Sequence, residues 1–255
     1  AGIFENAKAF SDTALIVISR SGGEGADLPA SYDGEDTFQE GGTFGASGMR
    51  MSSQTDDLDA SKHYLELSNR EIAMVERVTS EFDNVIVVIN AANAMELGWL
   101  DQYDSITAAL VMAGPGQTGF HALGEILTGA VNPSAKTVDT YVYDLTATPT
   151  WNNFGSMFYD NMDEFAVVGV VPSFVNYVEG IYVGYKFYET AAAEGLIDYG
   201  ATVQYPFGYG LSYTTFTQEM GAISERNGTI TFDVTVTNTG DVAGKDVVQV
   251  YYNPP

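Results

Sequence analysis

The chain has 255 residues, of which 45% are apolar, so it can bury the core of one large domain or of a large and a small domain. Its 34 acidic and 10 basic residues give a formal net charge of −24, which disfavours nucleic acids and anionic membrane surfaces as partners. Because the sequence has no cysteine, disulfides, thiolate metal ligands and a cysteine nucleophile are excluded.

The first predicted strand is the continuous apolar run at residues 14–19, which is typical of a strand covered on both faces. The segment SGGEGAD follows directly at 21–27, and its glycines permit an exposed turn. Since ligands collect at the carboxyl ends of parallel strands, Glu24 is the first candidate for chemistry, although a solvated glutamate is the commoner finding at such a position. Residues 22–60 show no periodicity and predict a long loop.

A regular alternation of helices and strands follows this loop. The capping box formed by Ser68 and Glu71 predicts the start of a helix, and its buried face is predicted to consist of Ile72, Val75, Val78 and Phe82. Further strands are predicted at 85–89 and 106–112, and helices at 117–127 and 175–193. This order predicts an α/β fold with a doubly wound, mostly parallel sheet, that is, an α/β sandwich.

The character of the sequence changes after Leu211. Residues 230–237 alternate apolar and polar side chains, and residues 247–252 repeat this pattern, so together they predict an antiparallel hairpin. We therefore expect an α/β domain at 1–213 and a second, β-rich domain at 214–255. A hairpin is marginally stable alone, so this second domain is expected to be incomplete or to lean on the first.

Three other features are candidate sites. The G-x-G-x-x-G pattern at 114–119 suggests a dinucleotide site, but its proline and its place within the sheet favour close helix–strand packing through glycine instead. His63 and His121 lack the spacing of a metal motif, so neither a metal nor a cofactor is expected. Trp99 and Trp151 could stack on sugar rings, although buried anchoring is the commoner role.

Several segments together resemble one known family: SGGEGAD at 21–27, MELGWL at 95–100, AGPGQTG at 113–119, LTGAVNPSAK at 127–136 and YPFGYGLSYT at 205–214. Their order and content are similar to those of glycoside hydrolase family 3, the β-glucosidase family. Two positions depart from its pattern, since Leu28 stands where arginine is common and Ala135 where glycine is usual.

The resemblance implies an architecture and a reaction. Members combine a (β/α)8 barrel, an α/β sandwich and often a fibronectin type III-like domain, and this chain resembles the sandwich with the first strands of the third domain. Glu24 is then the general acid/base and Asp27 a candidate substrate-binding residue, while the nucleophilic aspartate belongs to a barrel outside this chain. We expect a retaining, exo-acting β-glucosidase-like hydrolase.

The expected partners are a β-glucoside or related oligosaccharide and the barrel domain of the same enzyme, with no nucleic acid and no membrane. The isolated chain is predicted to be inactive, because half of the active site is expected elsewhere. A non-catalytic carbohydrate-binding or assembly module is the alternative that the sequence leaves open. The sugar, the linkage and the compartment are also left open.

Overall fold

The computed structural model describes residues 2–20, 54–57, 59–153, 157–165 and 174–252. The chain divides into two compact units, each built from two stretches of sequence. The first unit comprises Ala1–Gly114 and Thr140–Gln204, and the second comprises Pro115–Asp139 and Tyr205–Pro255.

The regular elements are as follows in chain order. The helices are α1 (Ile3–Phe10), α2 (Asn69–Thr79), α3 (Phe120–Leu127), α4 (Tyr185–Ala193) and α5 (Tyr199–Thr202). The strands are β1 (Thr13–Arg20), β2 (Asn84–Ala91), β3 (Ile106–Val111), β4 (Tyr141–Val142), β5 (Val203–Tyr205), β6 (Phe216–Met220), β7 (Ser224–Arg226), β8 (Thr229–Thr231) and β9 (Val234–Asn238). Short 3-10 helices occupy Thr55–Asp57, Gly98–Gln102, Leu145–Ala147, Pro149–Asn153 and Met162–Glu164. Among the helices described, none has the length and apolar composition needed to cross a bilayer.

A parallel sheet with the strand order β1-β2-β3 forms the centre of the first unit. One of its faces is buried through Ile16 and Ile18 of β1 and through Val85, Val87 and Ile89 of β2. The predicted α/β fold with parallel strands is thereby confirmed. Coverage of β1 on both faces is not observed, because Leu15 and Val17 on the other face are 48% and 46% exposed.

Helix α2 begins where its capping box predicts. The Ser68 hydroxyl oxygen accepts a hydrogen bond from the Glu71 backbone N–H, and the Glu71 carboxylate accepts one from the Ser68 N–H. Val75 is fully buried on the inner side of the helix. The helix ends at Thr79, so the buried Phe82 packs from the segment that follows it.

The predicted helix at 175–193 is only half correct. Its second half forms α4, which begins at Tyr185, whereas residues 174–184 are turns and irregular backbone. Gly180 and Gly184 adopt φ values of 56° and 62°, in the left-handed region that a continuous helix does not use. These two glycines therefore set the start of the helix.

The second unit contains α3 and two antiparallel strand pairs, and its pairing corrects the predicted hairpin. Strand β9 pairs with β6, while β8 pairs with β7. Residues 247–252 form no strand in the described chain. Asn227 and Gly228, with φ values of 53° and 74°, make the tight turn of the β7–β8 hairpin. Because of this turn, β8 pairs with β7 and not with residues 247–252.

Two of the family-like segments bind each other in the second unit. The Asn132 side-chain oxygen accepts hydrogen bonds from the Ser212 hydroxyl and the Tyr213 backbone N–H. The Lys136 ammonium donates to the Gly210 carbonyl at 2.6 Å. A Cβ at Gly210 would lie 2.5 Å from the Ala135 carbonyl oxygen, so the close approach of the two segments requires glycine there.

Candidate functional site

The candidate site lies at the carboxyl ends of β1 and β2, the edge at which parallel sheets bind ligands. The two predicted site residues, Glu24 and Asp27, follow β1 in the sequence but lie outside the described residues. The structure describes Arg20, the last residue of β1, and the segments that pack beside it.

Arg20 is a buried cation whose side chain is 3% exposed. Its guanidinium donates both terminal nitrogens to the Glu71 carboxylate at 2.7 Å, in a bidentate pair. The remaining N–H groups donate to the backbone carbonyls of Ser19, Tyr64 and Glu66. All five guanidinium donors therefore have acceptors, which is the condition for burying an arginine.

The Glu71 carboxylate binds two partners. It closes the capping box of α2 through the Ser68 N–H and also neutralises Arg20. The end of β1, the start of α2 and the backbone of residues 64–66 are thus tied together at one point. This arrangement fixes the carboxyl end of β1.

A cavity of about 260 Å³ lies beside Arg20. Its walls include Ser19, Asp57, Tyr64 and Arg70. Asp57 is buried and accepts a hydrogen bond from the Arg70 backbone N–H at 2.8 Å. The Arg70 side chain turns outward instead, where it pairs with the exposed Asp56.

The buried His63 connects the ends of β1 and β2. Its Nε2 lies 3.1 Å from a carboxylate oxygen of Glu96 and 3.4 Å from one of Glu66. Its Nδ1 accepts a hydrogen bond from the Leu65 backbone N–H. The same Glu96 oxygen also accepts from the Leu145 N–H at 2.6 Å, so the segment after β2 and the segment after β4 meet at this imidazole.

His63, Glu66 and Glu96 place three possible metal-ligand atoms within 4.8 Å of one another. The hydrogen bonds argue for another arrangement. Since Nδ1 accepts from Leu65, the neutral ring carries its proton on Nε2, the atom that faces both carboxylates. Nε2 then donates to Glu96 and has no lone pair for a cation, so we assign the three residues to a hydrogen-bonded cluster.

Trp151 packs against this cluster. The His63 and Trp151 rings are 4.8 Å apart at an angle of 61°, an edge-to-face contact. A cavity of about 220 Å³ lies on this side of the cluster, lined by Leu65, Leu145, Thr148, Thr150, Trp151 and Asn153. Trp151, one of the two tryptophans that are candidates for sugar stacking, therefore lines a cavity. The indole N–H of Trp99 is buried and has no hydrogen-bond partner among the described residues.

The glycine pattern at 114–119 has a local packing explanation. A Cβ at Gly119 would lie 2.8 Å from Pro115 Cβ and would also collide with the Pro115 carbonyl oxygen. Gly114 and Gly116 adopt positive φ values of 28° and 61°. The turn that leads into α3 thus requires the glycines, through its backbone conformation and the contact with Pro115, and the helix–strand packing expected from sequence is not what these positions show.

Arg20 and the His63 cluster were not predicted from the sequence. A signal existed for Arg20, because it shares the inward face of β1 with Ile16 and Ile18, and a charge at such a position needs a buried partner. No local signal links His63 to Glu96, which is 33 residues away and follows a different strand.

Comparison with known proteins identifies the family. The family model described as glycosyl hydrolase family 3 C-terminal domain matches residues 4–185. Beta-glucosidase A of Butyrivibrio fibrisolvens is 34% identical over 99% of this chain and 29% of its own length. Beta-glucosidase B of Emericella nidulans is 34% identical over 78% of this chain and 22% of its own length.

Solved structures agree with the sequence comparison. The crystal structure of a β-glucosidase from Paenibacillus barengoltzii superposes with a TM-score of 0.64 and 29% identity, covering 93% of this chain and 21% of that one. The chain spans less than a third of the length of these relatives. Because the family model covers well over half of its residues, the chain belongs to glycosyl hydrolase family 3 and carries that family's C-terminal domain.

Proposed function

We propose that this chain is the acid/base-bearing domain of a retaining, exo-acting, β-glucosidase-like glycoside hydrolase. Glu24 is the general acid/base, Asp27 contacts the substrate, and the nucleophilic aspartate lies on a (β/α)8 barrel domain outside this chain. The observation that carries the proposal is the SGGEGAD segment directly after the anchored Arg20 at the carboxyl edge of a family 3 domain. The similarity to proteins named β-glucosidases supports it.

The reaction needs two carboxyl groups about 5 to 5.5 Å apart on either side of the scissile bond. In the first step the barrel aspartate bonds to the anomeric carbon while the Glu24 carboxyl gives its proton to the leaving oxygen. In the second step the Glu24 carboxylate takes a proton from water, whose oxygen displaces the aspartate and releases the sugar. Arg20 serves by fixing the base of the segment that carries Glu24.

The domain organisation is part of the same proposal. We place a doubly wound α/β sandwich at 1–213 and the first strands of a fibronectin type III-like domain at 214–255. The half-exposed Leu15 and Val17 support a chain that works as part of a larger protein, because such apolar surface usually marks an interface. The substrate is a β-glucoside or a related oligosaccharide.

The test is the leaving-group dependence of Glu24→Gln in the full-length enzyme. A glycoside with a poor leaving group needs the proton, so its kcat/KM should fall by about 10² to 10⁴. For an activated aryl glycoside, whose leaving group needs no proton, kcat/KM should fall far less. Glu194→Gln, at the exposed end of α4, is the matched control and should leave both substrates unchanged.

Two outcomes would contradict the assignment of Glu24: equal losses for both substrates, or no loss for either. The 255-residue chain alone should hydrolyse no aryl β-glucoside, because the nucleophile is absent. If the chain alone binds glucose or cellobiose tightly without the barrel, the carbohydrate-binding module becomes the better account.

A further inference from the structure

The tip of the β7–β8 hairpin is the one place in the sequence where an asparagine precedes a glycine. Arg226 pairs with Thr229, so the turn between the two strands consists of Asn227 and Gly228. Both turn residues are exposed, and each strand has three residues with no buried side chain. A two-stranded pair of this kind is marginally stable, so its turn can open at little cost.

An asparagine followed by glycine can react with its own backbone. The backbone nitrogen of the glycine attacks the side-chain carbonyl carbon of the asparagine, which closes a five-membered succinimide ring. A side chain on the second residue hinders this attack, and glycine has none. Beyond its chain neighbours, no atom lies within 4 Å of the place where a Cβ of Gly228 would stand, so the approach is open.

The Glu225 carboxylate contacts the nitrogen that would attack. Its Oε1 accepts a hydrogen bond from the Gly228 N–H at 2.7 Å, the length of a charge-assisted bond. An amide nitrogen is a poor nucleophile until it gives up its proton. A carboxylate at this distance can receive the proton while the new bond forms, which is the action of a general base.

We propose that Asn227 is a site of spontaneous deamidation for which Glu225 is the general base. The Gly228 nitrogen forms a bond to the Asn227 Cγ while its proton passes to the Glu225 carboxylate. The bond between Cγ and the side-chain nitrogen then breaks, and this nitrogen takes the proton from Glu225 and leaves as ammonia. Water opens the succinimide at either carbonyl and yields aspartate or isoaspartate at position 227, so water is the only reactant that the protein does not supply.

Each product changes the hairpin. Aspartate adds a negative charge close to Glu225, in a chain whose net charge is already −24. Isoaspartate lengthens the backbone of the turn by one methylene group. Since the pairing of β7 with β8 depends on a turn of two residues with positive φ, isoaspartate should disrupt this pairing.

Asn238 of β9 provides a contrast within the same unit. Its side-chain oxygen accepts hydrogen bonds from the Thr214 hydroxyl at 2.7 Å and the Gly240 N–H at 3.0 Å. Its side-chain nitrogen donates to the Val242 carbonyl at 2.8 Å. The next residue is the β-branched Thr239, whose side chain hinders the attack. This asparagine should therefore stay unmodified under conditions in which the turn deamidates.

The test follows deamidation in the folded full-length enzyme at mildly alkaline pH. Peptide mapping by mass spectrometry should show the conversion of an amide to an acid at Asn227, with isoaspartate in the same peptide, and no conversion at Asn238. Glu225→Gln keeps an acceptor for the hydrogen bond but removes the base, so the rate constant of deamidation should fall about tenfold. Glu219→Gln, on the exposed part of β6, is the matched control for the lost charge and should leave the rate constant within about twofold.

A second comparison, in concentrated urea, separates the folded contact from the local sequence. Unfolding removes the hydrogen bond between Gly228 and Glu225, so wild type and Glu225→Gln should then deamidate at the same rate. The proposal is overturned if Asn227 stays intact in the folded enzyme, if Glu225→Gln reacts as fast as wild type or faster, or if Glu219→Gln slows the reaction equally. A difference between wild type and Glu225→Gln that persists undiminished in urea also overturns it.

Discussion

Arg20 is a guanidinium buried at the end of a strand, and every N–H group on it has an acceptor. An ammonium in its place has three donors on a single atom and cannot form the bidentate pair with Glu71. Arg20→Lys should therefore lower the free energy of unfolding by about 2 to 3 kcal/mol, measured by urea denaturation.

Arg70→Lys is the matched control for this prediction. Arg70 also faces an aspartate, Asp56, but both side chains are more than half exposed. Exposed pairs of this kind contribute little, so the expected loss is below about 0.5 kcal/mol. Equal losses in the two variants would mean that the Arg20 network is not a stabilising anchor.

The two contacts of Glu71 differ in whether they can be predicted from the sequence. Glu71 could be placed at the start of α2 because a capping box acts over three residues, and the structure confirms it. Its second partner, Arg20, is 51 residues away, and the contact depends on how β1 and α2 pack. Glu24 is a candidate by its position after β1, whereas its acid/base role and the choice of Asp27 rest on a family resemblance, and both roles stay predictions.

Helix α3 has one glycine at its start and one in its interior, and the space around the two differs. Gly119, at its start, has no room for a Cβ beside Pro115, whereas Gly124, in its interior, has nothing within 4 Å of one. Gly119→Ala should therefore lower the melting temperature, while Gly124→Ala should raise stability by about 0.5 to 1 kcal/mol through better helix propensity. Thermal melts of both variants decide this, and a stabilised Gly119→Ala would contradict the packing explanation.

Asp246 gives the second unit a contact that depends on pH. The Gln218 amide donates to its carboxylate at 2.7 Å, with the Val247 backbone and Lys136 nearby, and these contacts lower its pKa below the usual 3.8. A carboxyl with a lowered folded-state pKa contributes stability that is present above pH 3.8 and lost as the pH falls through the folded-state value.

Asp246→Asn should accordingly unfold at a lower temperature than wild type near pH 7, because the charged contacts are lost. The difference between the two proteins should shrink as the pH is lowered through and below 3.8. Melting curves between pH 7 and pH 3 measure this difference. A gap that stays constant over the whole range would show that the Asp246 charge does not contribute.

Element boundaries were predicted correctly where one local signal dominated and were missed where a local signal was outweighed or not used. The parallel strands followed from continuous apolar runs, and α2 followed from its cap. The start of α4 was missed because the aromatic content of 175–193 outweighed Gly180 and Gly184 in the prediction. The strand pairing of the second unit was missed because the Asn227-Gly228 turn was not used as a hairpin signal.

At the scale of the whole molecule, the net charge of −24 is the dominant property. Like charges repel one another in the folded state, and salt screens this repulsion as the Debye length falls from about 30 Å at 0.01 M to about 8 Å at 0.15 M. The melting temperature should therefore rise by roughly 2 to 4 °C over this range of NaCl. KCl at equal ionic strength should act alike, and a flat or falling curve would contradict the repulsion argument.

Glu24, as the group that protonates the leaving oxygen and activates water, is the centre of the proposed function. In the full-length Glu24→Gln enzyme, an activated aryl β-glucoside should still form the glycosyl-enzyme. This intermediate should then accumulate, because water attacks it slowly without a general base, until a nucleophile that needs no general base is added. Azide is such a nucleophile, so adding it should raise turnover and yield the β-glucosyl azide, detected by NMR. Turnover that azide does not change, with free glucose as the only product, would contradict the assignment of Glu24.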